Sequence, residues 1–167
     1  MPIGLPQIVV LLVALQRLTE LAVARRNTRR LLARGGREVG AGHYPLIVLL
    51  HGGWLTALFF LTPPDAAIVW PLIALFVLLQ FARIWIVVTL GPYWTTRIIT
   101  VPDAPLVCRG PYRWIRHPNY AVVTAEIAVL PLAFGQWLPA LVFSALNLAL
   151  LHHRITVEEN ALRDRAI

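Results

Sequence analysis

Four long apolar stretches dominate this chain of 167 residues and restrict what it can fold into. A helix that crosses a bilayer needs about 20 mostly apolar residues. The first three stretches, residues 5–24, 44–61 and 66–90, meet or approach that length, so each predicts one membrane-spanning helix. The chain has 58% hydrophobic and only 14% charged residues, whereas soluble domains carry about 25% charged residues. This composition excludes a soluble globule and a disordered chain.

The fourth apolar stretch, residues 118–151, is too long for one span and too short for two full ones. It is interrupted at Phe134-Gly135-Gln136-Trp137, a glycine-centred turn that Pro139 follows. We therefore predict a helical hairpin of two short spans, residues 118–134 and 137–151. The predicted fold is an all-α integral membrane protein with about five transmembrane helices in a single domain, residues 1–167.

All 15 basic residues are arginines, and those outside the predicted spans fall in alternate connections. The connections after the first and third spans and the tail after the fifth span carry arginines, whereas the other two connections carry none. Lys and Arg collect in cytoplasmic loops, so we expect the N-terminus outside and the C-terminus in the cytoplasm. The formal charge of +7 forms no basic stripe in a soluble segment, and we expect no nucleic-acid partner.

Several polar side chains fall inside the predicted spans, where they usually face the interior of a helix bundle. Arg17 and Glu20 are three residues apart and can pair on one helix face. Arg83 is expected to pair with Glu126 or Glu20. We interpret these residues mainly as interhelical contacts that fix the bundle. The set also contains Gln16, Gln80 and Asn147.

Two histidines, His43 and His51, flank or enter the second span. No cysteine or carboxylate stands near them at metal-ligand spacing. We interpret both histidines as structural or interfacial, and no metal site is predicted.

The densest polar segment, residues 104–120, comes directly before the fourth span. Proline is accepted in the first turn of a helix and disfavours helical geometry at the residue before it, so this span should begin near Pro118. The amide groups and dipole at its N-terminus would then favour an anion at this membrane surface. Gly110 is expected to let the backbone approach a ligand closely.

A second polar segment, residues 152–162, follows the fifth span. If the helix continues, Arg154 and Glu158 lie at i and i+4 on one face. The hairpin returns this segment to the side that holds His117, so the two polar segments should converge. Anchoring to lipid headgroups would explain the arginines but not Glu158 and Glu159, which anionic headgroups repel.

These segments resemble the isoprenylcysteine carboxyl methyltransferase family of integral membrane enzymes that use S-adenosylmethionine. The resemblance covers roughly residues 80–162. It rests on Leu106-Val107, on Gly110 with Tyr112, on Arg116-His117-Pro118-Asn119-Tyr120, and on Arg154-x-x-x-Glu158-Glu159. By position, the resemblance implies cofactor binding by Ala104, Pro105, Leu106, Val107, Tyr112, His117, Pro118, Asn119, Tyr120 and Glu158. It implies catalytic roles for Arg154, which would meet the acceptor oxygen, and for Glu159.

The resemblance also implies a lipophilic acceptor in the membrane, either isoprenylcysteine-like or alkylpyrone-like. The arginine-rich first connection and His43-Tyr44 look like a bacterial subgroup associated with alkylpyrones, which implies a bacterial cytoplasmic membrane and a site facing the cytoplasm. A carboxylate acceptor would need no base. A hydroxyl acceptor would use His117 or Glu159 as the base and Arg154 as a neighbouring cation.

Three other functions stay open at this point. An NADPH-dependent, sterol-type reductase could use a related scaffold, although the chain has no glycine-rich phosphate loop. A non-enzymatic membrane assembly protein would use the two polar segments as anchors. A transporter would be expected to show matched halves with interrupted spans, and the sequence has none.

Overall fold

The computed structural model describes residues 3–102, 104 and 107–162. The helices of this described part are α1 (Leu5–Ala33), α2 (Tyr44–Leu61), α3 (Trp70–Leu90), α4 (Pro118–Ala133) and α5 (Trp137–Leu162). Two short strands accompany them, β1 (Arg37–Val39) and β2 (Ile98–Thr100). Short 3-10 turns lie at Ala41–His43, Gly91–Tyr93 and Gly110–Arg113.

Four of these helices, α1, α2, α3 and α5, are long and apolar enough to cross a membrane, and α4 is a shorter apolar helix of 16 residues. Their outer faces carry large apolar side chains such as Leu18, Phe81 and Val88, each more than 60% exposed. Such faces suit a lipid environment. The predicted helical membrane architecture is confirmed, with four to five helices able to span.

The helix bounds depart from the prediction at two places. The third helix begins at Trp70 and not at residue 66, because the Val69 N–H leaves the helical pattern and donates to the Ala133 carbonyl at 2.9 Å. The first helix continues nine residues past the predicted end at residue 24 and stops before Gly35. The α5 helix continues past the apolar stretch, as expected.

The shortest helix, α4, occupies the centre of the bundle between α3 and α5. Its side chains include Glu126, Ile127 and Leu130, all at most 1% exposed. Because α4 packs between the longer helices α3 and α5, its 16 residues need not match the bilayer thickness. Around it the apolar core is formed by Val10, Val13, Leu50, Trp54, Leu58, Phe76, Val123, Ile127, Leu130 and Phe134.

The connections sort to the two ends of the bundle. Strands β1 and β2 pair antiparallel with Glu38 opposite Ile99, and α5 packs against both strands. This contact brings the connections after α1 and α3 and the end of α5 together, and we call this end the basic end. At the other end the Gln7 amide donates to the Thr62 carbonyl at 2.7 Å. The short sheet was not predicted from the sequence.

A cluster of buried ions joins α1, α3 and α4 below the basic end. Arg83 contacts both Glu20, at 2.6 Å, and Glu126, at 3.3 Å. Arg17 likewise contacts Glu20, at 3.0 Å, and Glu126, at 2.8 Å. The Gln80 amide also donates to Glu126 at 2.8 Å. The interhelical interpretation of these residues is confirmed, and each arginine has both glutamates as partners.

Candidate functional site

A cavity of about 500 Å³ opens at the basic end, between β2, the start of α4 and the last turns of α5. Residues from both polar segments of the sequence line it, so the predicted convergence is confirmed. The lining residues are Leu31, Leu90, Tyr93, Trp94, Thr95, Arg97, Ile98, Ile99, Val101, Ala104, Val107, Cys108, Tyr112, Arg116, His117, Asn119, Tyr120, Arg154, Glu158 and Glu159.

Two helix ends bring the polar side chains of the cavity together. The α4 helix begins at Pro118, as predicted, and its first turn presents Asn119 and Tyr120 to the cavity. The α5 helix continues far enough to present Arg154 and Glu158, four residues apart, on the same face. The two helices pack against each other, so the site stands on rigid elements.

The Arg154 side chain is held in place on two edges. Its residue is 7% exposed, its Nε donates to the Tyr120 hydroxyl at 2.7 Å, and its Nη2 donates to the Thr96 carbonyl at 2.9 Å. The Tyr120 hydroxyl in turn donates to the Glu158 carboxylate. Within the described residues, Nη1 of Arg154 makes no hydrogen bond, so this atom is available to a ligand in the cavity.

His117 lies beside this network. Its ring stacks on that of Tyr120, with centroids 5.3 Å apart and planes 14° from parallel. Its Nδ1 is 3.8 Å from a Glu158 oxygen, and its Nε2 is 3.5 Å from a Glu159 oxygen. The imidazole ring therefore lies between two carboxylate side chains.

Two buried polar atoms of the lining residues have no hydrogen-bond partner within the described part of the chain. They are Nε2 of His117 and Oδ1 of Asn119. Buried polar atoms are normally hydrogen-bonded, so an unpartnered pair on residues that line one cavity favours a polar ligand.

Aromatic and apolar residues line the rest of the cavity. Tyr112 lies in the 3-10 turn at Gly110–Arg113, and Val107 and Trp94 also line the cavity. Burial, together with the negative charge of Glu158, raises the pKa of the Tyr112 hydroxyl above its ordinary value. This hydroxyl therefore stays protonated at neutral pH and can donate a hydrogen bond but cannot act as a base.

Gly110 makes a close backbone approach that the sequence did not predict. It has φ +57°, and a Cβ at this position would lie 2.8 Å from Thr89 Oγ1 and 3.4 Å from Trp85 Nε1. The close approach that the structure shows is made to α3, and Gly110 is not one of the residues that line the cavity. It fixes the turn that carries Tyr112 against the bundle.

Nine of the twelve residues predicted for the site line the cavity: Ala104, Val107, Tyr112, His117, Asn119, Tyr120, Arg154, Glu158 and Glu159. Pro118 is buried and begins α4 without lining the cavity. Pro105 and Leu106 lie outside the described residues.

Residues 93–99 provide one wall of the cavity, which was not predicted from the sequence. The signal for it was Trp94-Thr95-Thr96-Arg97, a polar and aromatic run on the same side of the membrane as His117. Arg97 Nη1 donates to both Glu38 oxygens, at 2.7 and 2.9 Å, and its guanidinium carbon lies 4.2 Å from the centre of the Tyr44 ring. The first connection therefore supports the site from outside the two predicted polar segments.

Comparisons with known proteins agree with this geometry. Residues 72–164 match the family described as "Isoprenylcysteine carboxyl methyltransferase (ICMT) family". An uncharacterized protein of Bacillus subtilis (strain 168), YpbQ, is 37% identical over 96% of this chain and 98% of its own length. No solved structure matches the chain. The family match covers more than half of the chain and includes the start of α4 and the end of α5, where the cavity lies. The chain belongs to the isoprenylcysteine carboxyl methyltransferase family and is a membrane methyltransferase.

Proposed function

We propose that this protein transfers a methyl group from S-adenosylmethionine to an oxygen atom of a lipophilic acceptor that is embedded in the membrane. The observation that carries the proposal is the network of Arg154, Tyr120 and Glu158 on the wall of a cavity that also presents unpartnered polar atoms. Membership of a methyltransferase family supports the reaction type.

The cavity suits S-adenosylmethionine in charge and in shape. The amino-acid portion of S-adenosylmethionine carries an ammonium and a carboxylate. The Glu158 carboxylate suits the ammonium, and the N-terminus of α4 near Asn119 suits the carboxylate. Its adenine would occupy the apolar and aromatic part near Val107 and Tyr112. Of the predicted cofactor residues, Tyr120 would contribute its ring, because its hydroxyl already bonds within the protein.

When bound, S-adenosylmethionine supplies a methyl group on a positively charged sulfur, which leaves readily. The protein's main task is then to position the acceptor. Arg154 would orient the acceptor oxygen through Nη1, which makes no hydrogen bond to any described residue, while Tyr120 and Thr96 hold the rest of the guanidinium. An apolar cavity wall would keep water away from the reacting atoms.

The need for a base depends on the acceptor. A carboxylate is already ionised at neutral pH and requires none. A hydroxyl acceptor would lose its proton to Nε2 of His117, whose ring lies beside the carboxylates of Glu158 and Glu159. Glu159 is half-exposed and 3.6 Å from Arg116, so it would support the proton transfer more readily than make direct contact with a buried acceptor.

The single cysteine provides a test of cofactor binding that needs no acceptor. Cys108 is exposed and lines the cavity, and the chain has no other cysteine. We expect S-adenosylhomocysteine to slow the labelling of Cys108 by a maleimide several-fold in the folded, detergent-solubilised protein. NADPH should give no protection.

Three variants separate binding from turnover. His117→Ala and Glu158→Ala should lose the protection, whereas Arg154→Ala should keep it and abolish methyl transfer. Asp65→Asn, at the opposite end of the bundle, is the matched control and should behave like the wild type. Absence of protection in folded wild-type protein, or protection by NADPH alone, would contradict the proposal.

The stability of the methylated product in mild alkali would distinguish a carboxylate acceptor from a hydroxyl acceptor. Membranes that contain the protein would be incubated with S-adenosylmethionine carrying a radioactive methyl group, and the lipids would be extracted. A methyl ester releases volatile methanol in mild alkali, whereas a methyl ether retains its label. Radioactivity in the aqueous fraction only would contradict a lipophilic acceptor.

We further propose that the basic end faces the cytoplasm across a bacterial inner membrane, with the N-terminus outside. The arginine-bearing connections, which gather at this end, support this orientation. A membrane-impermeant maleimide should label Cys108 in inverted vesicles and spare it in intact spheroplasts. The reverse pattern would refute the orientation.

A further inference from the structure

The end of α1 extends beyond the apolar stretch as a docked, rigid helix. Its inner face buries Ala24, Asn27 and Leu31, spaced three and four residues apart. The Asn27 amide donates to the Gly91 carbonyl at 3.1 Å and to the Trp94 carbonyl at 2.9 Å. This extension is therefore held against the end of α3 and its outer face has a fixed orientation.

The outer face of the extension carries four exposed arginines at helical spacing, Arg25, Arg26, Arg29 and Arg30. Together with Ala22 they line a shallow depression on the surface. Within the described part of the chain none of the four makes an ion pair. Four cations are thus presented on one rigid surface, and none of the described residues supplies a counter-charge.

The position of this surface along α1 indicates its partner. Residues 5–24 comprise 20 residues, which at 1.5 Å each span about 30 Å, the thickness of the hydrocarbon core. The arginines follow directly and so stand at the level of lipid phosphates. A guanidinium binds phosphate oxygens with two parallel hydrogen bonds, and basic side chains near a membrane surface attract anionic lipids.

We propose that Arg25, Arg26, Arg29 and Arg30 form a binding site for the phosphate groups of anionic phospholipids in the surrounding bilayer. The depression between the two arginine pairs receives the headgroup, and the acyl chains lie along the exposed apolar face of α1, where Leu18 is 63% exposed. The site is separate from the cavity and does not depend on the proposed methyl transfer.

Thermal unfolding in detergent micelles tests the proposal, with phosphatidylglycerol and phosphatidylcholine as the added lipids. We expect phosphatidylglycerol to raise the midpoint by several degrees at low salt, since a ligand that binds only the folded state stabilises it. Phosphatidylcholine and inorganic phosphate should have little effect. High salt should remove most of the gain, because phosphate contacts with exposed arginines are screened.

A matched pair of double variants assigns the effect to the four arginines. R25Q/R29Q removes two charges from the site, and R34Q/R37Q removes two exposed charges outside it. The first variant should lose most of the phosphatidylglycerol effect and the second should keep it. An equal loss in both variants, an equal shift with phosphatidylcholine or inorganic phosphate, or a wild-type shift that salt leaves unchanged would overturn the proposal.

Discussion

Replacing Glu126 by alanine should destabilise the protein more than any other single change in the ion cluster. Its carboxylate is 1% exposed and accepts from Arg17 at 2.8 Å, from Arg83 at 3.3 Å and from Gln80 at 2.8 Å. With both glutamates ionised the cluster holds two positive and two negative charges. Glu126→Ala leaves two arginines facing Glu20 alone, so one charge is uncompensated in the interior of the bundle.

The size of the effect follows from that charge count. Removal of one partner from a buried ion pair costs about 3–5 kcal/mol. Breaking the partly exposed ion pair of Glu38 and Arg97 is the control, because such pairs contribute only about 0–1 kcal/mol to the free energy of unfolding. Unfolding would be followed by tryptophan fluorescence in mixed micelles with an increasing fraction of denaturing detergent.

A double variant separates charge from packing. Glu126→Gln combined with Arg17→Gln removes one charge of each sign and leaves Arg83 paired with Glu20. We expect the double variant to be about 0.5–3 kcal/mol more stable than the sum of the two single losses predicts, because each single variant leaves one buried charge unbalanced and the double variant leaves none. A loss below about 1 kcal/mol for Glu126→Ala, or strict additivity of the pair, would refute the view that charge balance holds α1, α3 and α4 together.

Three further outcomes are expected. Gly110→Ala should lower stability by about 1–3 kcal/mol, measured by thermal unfolding, because the residue has positive φ and its Cβ would meet Thr89 at 2.8 Å; an unchanged midpoint would refute this packing. Tyr120→Phe should reduce methyl transfer into extracted lipid more than it weakens S-adenosylhomocysteine binding measured by calorimetry, because the arginine loses one of its two anchors; equal losses would contradict it. Arg97→Lys should weaken S-adenosylhomocysteine binding only a few-fold, with the cavity otherwise intact. Arg97→Ala should weaken it further, because this variant loses both the Glu38 contact and a side chain of the cavity wall.

The parts of the site that the sequence predicted are those that helix geometry determines locally. Pro118 marks a helix start through its effect on the residue before it, and the observed α4 begins there. Arg154 and Glu158 share a face because they stand four residues apart in a helix that continues. Charged side chains at membrane depth usually find partners in the bundle. This rule predicted Glu20 or Glu126 as the partner of Arg83, and the structure shows contacts to both.

The missed parts depend on contacts between residues far apart in the chain. Glu38 reaches Arg97 across 59 positions through two strands of three residues each, which are too short to show an alternating pattern. The extension of α1 was missed because mean hydropathy falls at Arg25, while the helix is continued by a narrow buried stripe that ends at Leu31. A contact between Asn27 and the Trp94 carbonyl is equally invisible to local patterns.

The charged residues of this protein have different roles in the interior of the bundle and at the basic end. In the ion cluster two arginines balance two glutamates, and each arginine contacts both carboxylates. These charges therefore have a structural role. One of those carboxylates, Glu126, lies seven residues after Asn119 on α4, which is about two turns. The cluster therefore fixes the rotation of the helix whose first turn faces the cavity. At the basic end, by contrast, Nη1 of Arg154 has no hydrogen-bond partner within the described residues, and a site that binds and orients a ligand needs a donor that the fold has not already satisfied.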